Sequence, residues 1–162
     1  MSATAPEALC AEVLSHSRLT AGTALAVYKS LATALGTIFQ YTSSAVSRAN
    51  AASNMQPVSE AIEQVSKLSP DTPVSHKNVE NFCLGTKFVE IATEEDDHSI
   101  ITAARNMHVE TLQSIRRCLD DPSKCAEKSA KKTNLGLVLG ITGGLLLAGT
   151  AFYLYSIKTR MR

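Results

Sequence analysis

The sequence predicts an all-α protein, in which a soluble helical bundle is followed by a single C-terminal transmembrane helix. Apolar residues recur at helical spacing through most of residues 1–122, and an uninterrupted apolar run occupies residues 135–157. The sequence contains no alternating strand pattern and no Asn-Gly hairpin turn. We therefore divide the chain into a helical domain of four or five helices at 1–122, a basic juxtamembrane linker at 123–134, a transmembrane helix at 135–157 and a short basic tail at 158–162.

The run at 135–157 reads LGLVLGITGGLLLAGTAFYLYSI and carries no charge. At about 1.5 Å per residue it would form a helix roughly 34 Å long, enough to cross a hydrocarbon core of about 30 Å. A buried helix of a small domain would keep a polar stripe, which this run lacks. The residues expected at lipid headgroups or at the membrane interface are Lys128, Lys131, Lys132, Tyr153, Tyr155, Lys158, Arg160 and Arg162.

Small residues recur at every fourth position of this run, at Gly136, Gly140, Gly144 and Ala148. On a helix these positions share one face, and small side chains there let two helices approach closely in lipid. We predict that this face packs against another transmembrane subunit or a second copy of the chain. The plainer explanation is the general abundance of glycine in transmembrane helices. The opposite face, suited to lipid tails, carries Leu135, Leu139, Leu146 and Phe152.

The start of the chain and the position of the apolar run predict a tail-anchored protein that faces the cytosol. Met1 to Glu7 has no positive charge, and no cleavable apolar segment of a signal peptide follows. Modest hydrophobicity with basic residues on both flanks resembles the anchors of mitochondrial outer-membrane proteins. We expect a mitochondrial membrane, the outer one by this logic, with an inner-membrane complex, the endoplasmic reticulum or another host membrane as alternatives.

Capping and periodicity predict the first two helices. Thr4 and Glu7 form a capping-box pattern with Pro6 in the first turn, and the first helix should end near Ser17. Gly22 predicts a break or kink before the second helix. The apolar positions of that second helix are Leu25, Tyr28, Leu31, Leu35, Ile38 and Val46. Because 21–39 has one charge and is moderately apolar, a second membrane span is an alternative to the core helix that we favour.

Three further helices are predicted from proline positions and periodicity. Pro57 fits the first turn of the third helix, after a fraying segment at 47–54. Two prolines mark a loop at 69–73, and a fourth helix then holds Val79, Phe82, Phe88, Val89 and Ile91. The acidic cluster at 94–97 should open the fifth helix, where negative charge suits the helix dipole, and 120–122 should end it. The apolar stripe of the fifth helix is Ile101, Ala104, His108, Leu112, Ile115 and Leu119.

The four cysteines are expected to be separate, mostly buried thiols of a reducing compartment. They stand at Cys10, Cys83, Cys118 and Cys125. A bridge between Cys118 and Cys125 is geometrically possible in an oxidising space. The spacing of cysteines and histidines is wider than in zinc motifs, so we predict no metal site.

No catalytic or cofactor site is predicted. The four histidines, His16, His76, His98 and His108, are scattered, and His108 on an apolar stripe reads as a core histidine. The sequence has no phosphate-binding glycine loop, nucleophile elbow or dinucleotide fingerprint. A net charge of +1 does not favour a nucleic-acid surface.

These observations favour a structural or adaptor protein rather than an enzyme. We expect a non-catalytic accessory subunit of a larger membrane complex, mitochondrial by its anchor, with membrane lipid and other transmembrane subunits as partners. The alternative is a self-associating, membrane-active viral or secreted effector. Low aromatic content and long helices suit extended contact with neighbouring proteins better than a deep ligand pocket.

Overall fold

The computed structural model describes residues 3–125, most of which lie in five helices. They are α1 (Pro6–Leu14), α2 (Ala21–Tyr41), α3 (Ala45–Ser66), α4 (Val79–Glu95) and α5 (Ser99–Asp120). Within this part of the chain β-pairing is limited to an isolated bridge between Thr20 and Pro73. The predicted helical bundle is therefore confirmed, and the predicted transmembrane helix lies outside the described residues.

Helix α2 forms the centre of the bundle. It packs against α3, α5 and α4, and Leu31 and Leu35 on it are fully buried. The interpretation of 21–39 as a core helix is confirmed. Across residues 3–125 the structure contains no helix with both the length and the apolar character needed to span a membrane.

The predicted capping residue and the predicted end of the first helix both need correction. Pro6 does occupy the first turn of α1, but the N-cap is Ala5 without a side-chain hydrogen bond, so the predicted capping box at Thr4 is wrong. A capping box does form at the start of α2, where Thr20 and Thr23 bond each other's backbone N–H groups. Helix α1 ends at Leu14, before the predicted Ser17.

Gly22 does not break the chain but lies in the first turn of α2. Its backbone N–H donates to the Pro70 carbonyl at 2.9 Å, and the neighbouring Ala21 N–H donates to the Thr72 carbonyl at 2.8 Å. A Cβ atom at Gly22 would stand 3.2 Å from the Pro70 carbonyl oxygen. The glycine therefore lets the predicted loop at 69–73 pack directly onto the start of α2.

The α2–α3 boundary and the role of Pro57 were also predicted wrongly. Helix α2 ends at Tyr41, and Ser44 caps α3 by accepting a hydrogen bond from the Ser47 N–H. Val46, predicted to face the core from α2, lies in the first turn of α3 and is 70% exposed. Helix α3 continues through Pro57, an exposed residue in the middle of the helix. It does so because buried residues before and after the proline hold one face of α3 against the bundle. Those residues are Ser47, Ala51, Val58 and Val65.

The acidic cluster closes α4 instead of opening α5. Glu94 and Glu95 form the end of α4, and the N-cap of α5 is His98, whose side chain accepts from the Ile100 N–H. Asp96 lies between the helices, where one carboxylate oxygen accepts from the Thr42 hydroxyl at 3.0 Å and the Ser43 N–H at 3.1 Å. This aspartate ties the α4–α5 turn to the α2–α3 turn.

The predicted stripe of α5 is confirmed, since all six of its members are buried. On the neighbouring face, the Arg105 guanidinium makes two hydrogen bonds to the Glu90 carboxylate of α4, at 2.6 and 2.7 Å. Helix α5 ends at Asp120, as predicted. Its last turn lies beside the α1–α2 connection, where Arg18 donates to the Leu119 carbonyl at 3.4 Å.

Candidate functional site

The residues predicted to pack helices or contact lipid all follow residue 125 and lie outside the described residues. They comprise the small-residue face at Gly136, Gly140, Gly144 and Ala148, and the interface residues from Lys128 to Arg162. The structure instead describes the end of the helical domain from which the chain leads toward them. We call the last turn of α5 and residues 121–125 the exit turn.

An ion pair and a histidine–carboxylate contact join the end of α5 to the first helix and the connection after it. Arg116 contacts the Glu12 carboxylate at 3.1 Å and the Asp120 carboxylate at 3.8 Å. The His16 Nε2 atom lies 3.4 Å from the other oxygen of Asp120. These pairs are largely exposed, so each contributes little to stability. They place charged and polar side chains of α5 beside α1 and the connection after it.

The exit turn folds back on the end of α5. The Asp121 carboxylate accepts from the Ser123 N–H at 3.1 Å and from its hydroxyl at 2.7 Å, and these bonds hold the pKa of Asp121 below its usual range. The Lys124 N–H donates to the Asp121 carbonyl at 3.0 Å. A disulfide between Cys118 and Cys125, with a Cα–Cα distance of 4.7 Å, closes the turn. Residues 123–125, predicted to begin the linker, therefore belong to a crosslinked turn.

A second disulfide joins Cys10 of α1 to Cys83 of α4, with a Cα–Cα distance of 5.8 Å. Both residues are buried, at 0% and 1% exposure. The expectation of separate thiols is wrong, and the bridge that we considered possible at Cys118 and Cys125 is present. Spacing could not reveal the first pair, because 73 residues separate its members and only the packing of α1 on α4 brings them together.

The two crosslinks differ in their expected contribution to stability. A crosslink stabilises chiefly by restricting the unfolded chain, and it does so more strongly when it closes a longer loop. With a sequence separation of 73, the Cys10–Cys83 bond should contribute about 4 kcal/mol. The separation of 7 between Cys118 and Cys125 corresponds to about 2 kcal/mol.

His108 forms a buried polar network between α2, α4 and α5. Its Nδ1 lies 2.7 Å from the Ser30 hydroxyl and its Nε2 lies 2.9 Å from the Thr86 hydroxyl. Since the Ser30 hydroxyl donates to the Val27 carbonyl, it accepts from Nδ1–H, and Nε2 accepts from Thr86. Burial lowers the pKa of His108 to about 4. It is a neutral core histidine, as predicted, with both ring nitrogens occupied.

A second group, of two buried rings and one half-buried ring, lies at the connection between α3 and α4. The rings of Tyr28, His76 and Phe82 contact one another with centroid distances from 4.7 to 5.6 Å. Burial raises the pKa of Tyr28 to about 12 and lowers the pKa of His76. The His76 Nδ1 atom is buried. This cluster covers one side of α2 with aromatic surface.

The histidines and cysteines do not converge on one place. His16 lies at the exit turn, His98 caps α5, His76 joins the aromatic cluster and His108 lies in the core. In the described part of the chain there is no group of three His, Cys, Asp or Glu residues that could hold a metal ion.

A shallow groove of about 340 Å³ runs between the N-terminal segment and the last turns of α5. Its lining includes Thr4, Leu9, Gln113, Arg116 and Arg117. Because Arg116 already contacts two carboxylates, this groove is mainly a part of the contact between the N-terminal segment and the end of α5. The described residues therefore form a helical domain with two disulfides, one of which closes the exit turn.

Searches against family models, curated proteins and solved structures find no match to this chain.

Proposed function

We propose that this protein is a membrane-anchored structural or adaptor protein, a non-catalytic accessory subunit of a larger membrane complex. The observation that carries the proposal is the charge-free run at 135–157 with small residues at every fourth position. This run holds the helical domain at the membrane and supplies a face for a neighbouring helix. The basic flanks resemble those of mitochondrial anchors, so a mitochondrial membrane is the favoured site, with the endoplasmic reticulum or another host membrane as alternatives.

The helical domain supports a structural role because its elements are braced against one another at both ends. Asp96 joins the two turns at one end. At the other end an ion pair joins α5 to α1, and a disulfide closes the exit turn. Helix α5 runs between these ends for 22 residues, about 33 Å at 1.5 Å per residue. A domain of this construction holds its far end at a set distance from the start of the linker.

The far end of the domain presents apolar side chains available for contact with a neighbouring protein. Tyr41, Val46 and Ile100 are 40%, 70% and 43% exposed, and they lie near the α2–α3 and α4–α5 turns. Single exposed apolar residues are common on protein surfaces, so they add little weight alone. Their position opposite the exit turn is compatible with a subunit that contacts neighbours both within and outside the membrane.

Native gel migration of the mildly solubilised protein tests the proposal. The wild type should migrate in a large complex, and Gly140→Leu and Gly144→Leu should release it as a small species because leucine prevents close helix contact. Leu139→Phe and Leu146→Phe are the matched controls, since they add bulk to the lipid-facing side and should leave migration unchanged. Wild-type protein that runs small, or glycine variants that remain in the complex, would contradict the proposal.

A self-associating membrane protein is the second candidate, because a face of small residues is complementary to itself. Crosslinking in intact membranes separates the two candidates. A ladder of adducts that contain this chain alone favours self-association. Adducts with other membrane proteins favour the accessory subunit.

A further inference from the structure

We propose that the helical domain resides in an oxidising compartment, on the side of its membrane away from the cytosol. Its placement on one side of a membrane rests on the proposed function, but its oxidised state does not. The chain has four cysteines, and all four are paired within the described residues. Complete pairing is typical of exported domains, whereas cytosolic disulfides are mostly transient and catalytic.

The Cys10–Cys83 bond has the features of a permanent structural crosslink. Both residues are buried, so a reducing thiol cannot reach either sulfur in the folded domain. The bond secures α1, which has nine residues and is too short to be stable alone. Besides this disulfide, one ion pair joins the side chains of α1 and α4 in the described residues. It links Glu7 to Lys87 at 3.8 Å and is largely exposed. A crosslink of this kind forms and persists in an oxidising environment.

The Cys118–Cys125 bond supports the same compartment from a different position. Cys118 is partly exposed and Cys125 is exposed, so thiols of a reducing compartment would have direct access to this pair. The hydrogen bonds of Ser123 and Lys124 to Asp121 nevertheless shape the turn that brings the two cysteines together. A turn arranged to hold an accessible disulfide is useful only where the bond stays oxidised.

The charges around the predicted span do not oppose this placement. Lys128, Lys131 and Lys132 precede it, while Lys158, Arg160 and Arg162 follow it, so both flanks are basic. Because orientation follows an asymmetry of positive charge, these flanks do not fix the direction of insertion. We therefore orient the predicted span by the cysteine pairing, with the helical domain on the oxidising side. In a mitochondrial complex the domain would face the intermembrane space, and in the secretory pathway it would face the lumen or the exterior.

Trapping the thiol state of the full-length chain in its native membranes tests this inference. Cells are quenched in acid, denatured in detergent, and treated with a polyethylene-glycol maleimide before or after reduction. Denaturation removes any protection that comes from burial alone. We expect no adduct without reductant and four adducts after reduction. The Cys118→Ser/Cys125→Ser double variant isolates the core pair and should give none before reduction and two after it.

Both pairs decide the outcome. Absence of adducts in the unreduced wild type and in the unreduced double variant supports an oxidising compartment, and adducts in either protein before reduction overturn the inference. The result is independent of the assembly test, because cysteines can be oxidised in a protein that migrates alone. Oxidised cysteines in a small species would therefore keep this inference and contradict the accessory-subunit proposal. Free thiols in a large complex would do the reverse.

Discussion

At the scale of single residues, His108 shows how this core accommodates a polar side chain. Its position on the apolar stripe of α5 identified it from the sequence as a core histidine. Its hydrogen-bond partners were not predictable, because Ser30 and Thr86 lie 78 and 22 residues away and meet it only when α2 and α4 pack. Satisfying both ring nitrogens offsets the cost of burying the neutral ring.

The burial of His108 predicts that the helical domain loses stability in acid. The pKa of His108 is about 4 in the folded domain, below its ordinary value of 6.5, so between these values only the unfolded chain binds the proton. The free energy of unfolding should fall by about 3 kcal/mol as the pH decreases through this window, and His108 should have no effect above it. Urea unfolding of wild type and His108→Leu between pH 4 and 7 measures this difference. Parallel pH profiles for the two proteins would show that His108 does not titrate in this way.

At the scale of elements, the sequence predicted α5 well because its apolar stripe is regular and its ends carry clear signals. Helix α3 was predicted to start at Pro57 because proline normally marks a helix start or break. In the structure, the packing of Ala51 and Val58 on the same face outweighs that local cost and carries the helix through the proline. The pairing of Cys10 with Cys83 likewise depends on contacts between helices that local sequence does not specify.

Replacing Pro57 should stabilise the domain. Pro57 is exposed within α3, and its missing N–H leaves the Ser53 carbonyl without its usual helical partner. Pro57→Ala should therefore raise the free energy of unfolding, by up to about 3 kcal/mol, in urea titrations. Glu60→Ala, at an exposed position one turn later, should change it by no more than about 0.5 kcal/mol. A destabilised Pro57→Ala would mean that the proline shapes α3 for its contact with α2.

The two disulfides should differ in their effect on stability. Cys10→Ala/Cys83→Ala should lower the free energy of unfolding by about 4 kcal/mol, and Cys118→Ala/Cys125→Ala by about 2 kcal/mol, because the loops differ in length. Thermal and urea unfolding of both double variants under non-reducing conditions compares them. Equal losses, or a larger loss for the Cys118 pair, would contradict the structural role assigned to the core bond.

At the scale of the whole molecule, a braced helical domain precedes a sequence suited to cross a membrane. The helical character of the domain followed from periodicity, and the predicted span rests on the absence of charge over 135–157. From the sequence we predicted a domain that faces the cytosol, although the basic flanks are balanced and do not fix its side. The cysteine pairing, which favours the opposite side, becomes visible only in the fold. An expectation of free cytosolic thiols thus gives way to a proposal of an oxidised domain.

Extraction of membranes with alkaline carbonate tests the membrane anchor most directly. The full-length wild type should remain in the membrane pellet, because an apolar helix across the bilayer resists extraction at high pH. Leu146→Arg/Leu147→Arg should move the chain to the supernatant, since each arginine near the bilayer centre costs about 2.5–3.5 kcal/mol. Leu146→Ile/Leu147→Ile, which keeps the segment apolar, should remain in the pellet. A wild type found in the supernatant, or an arginine variant that pellets like it, would contradict a membrane anchor at 135–157.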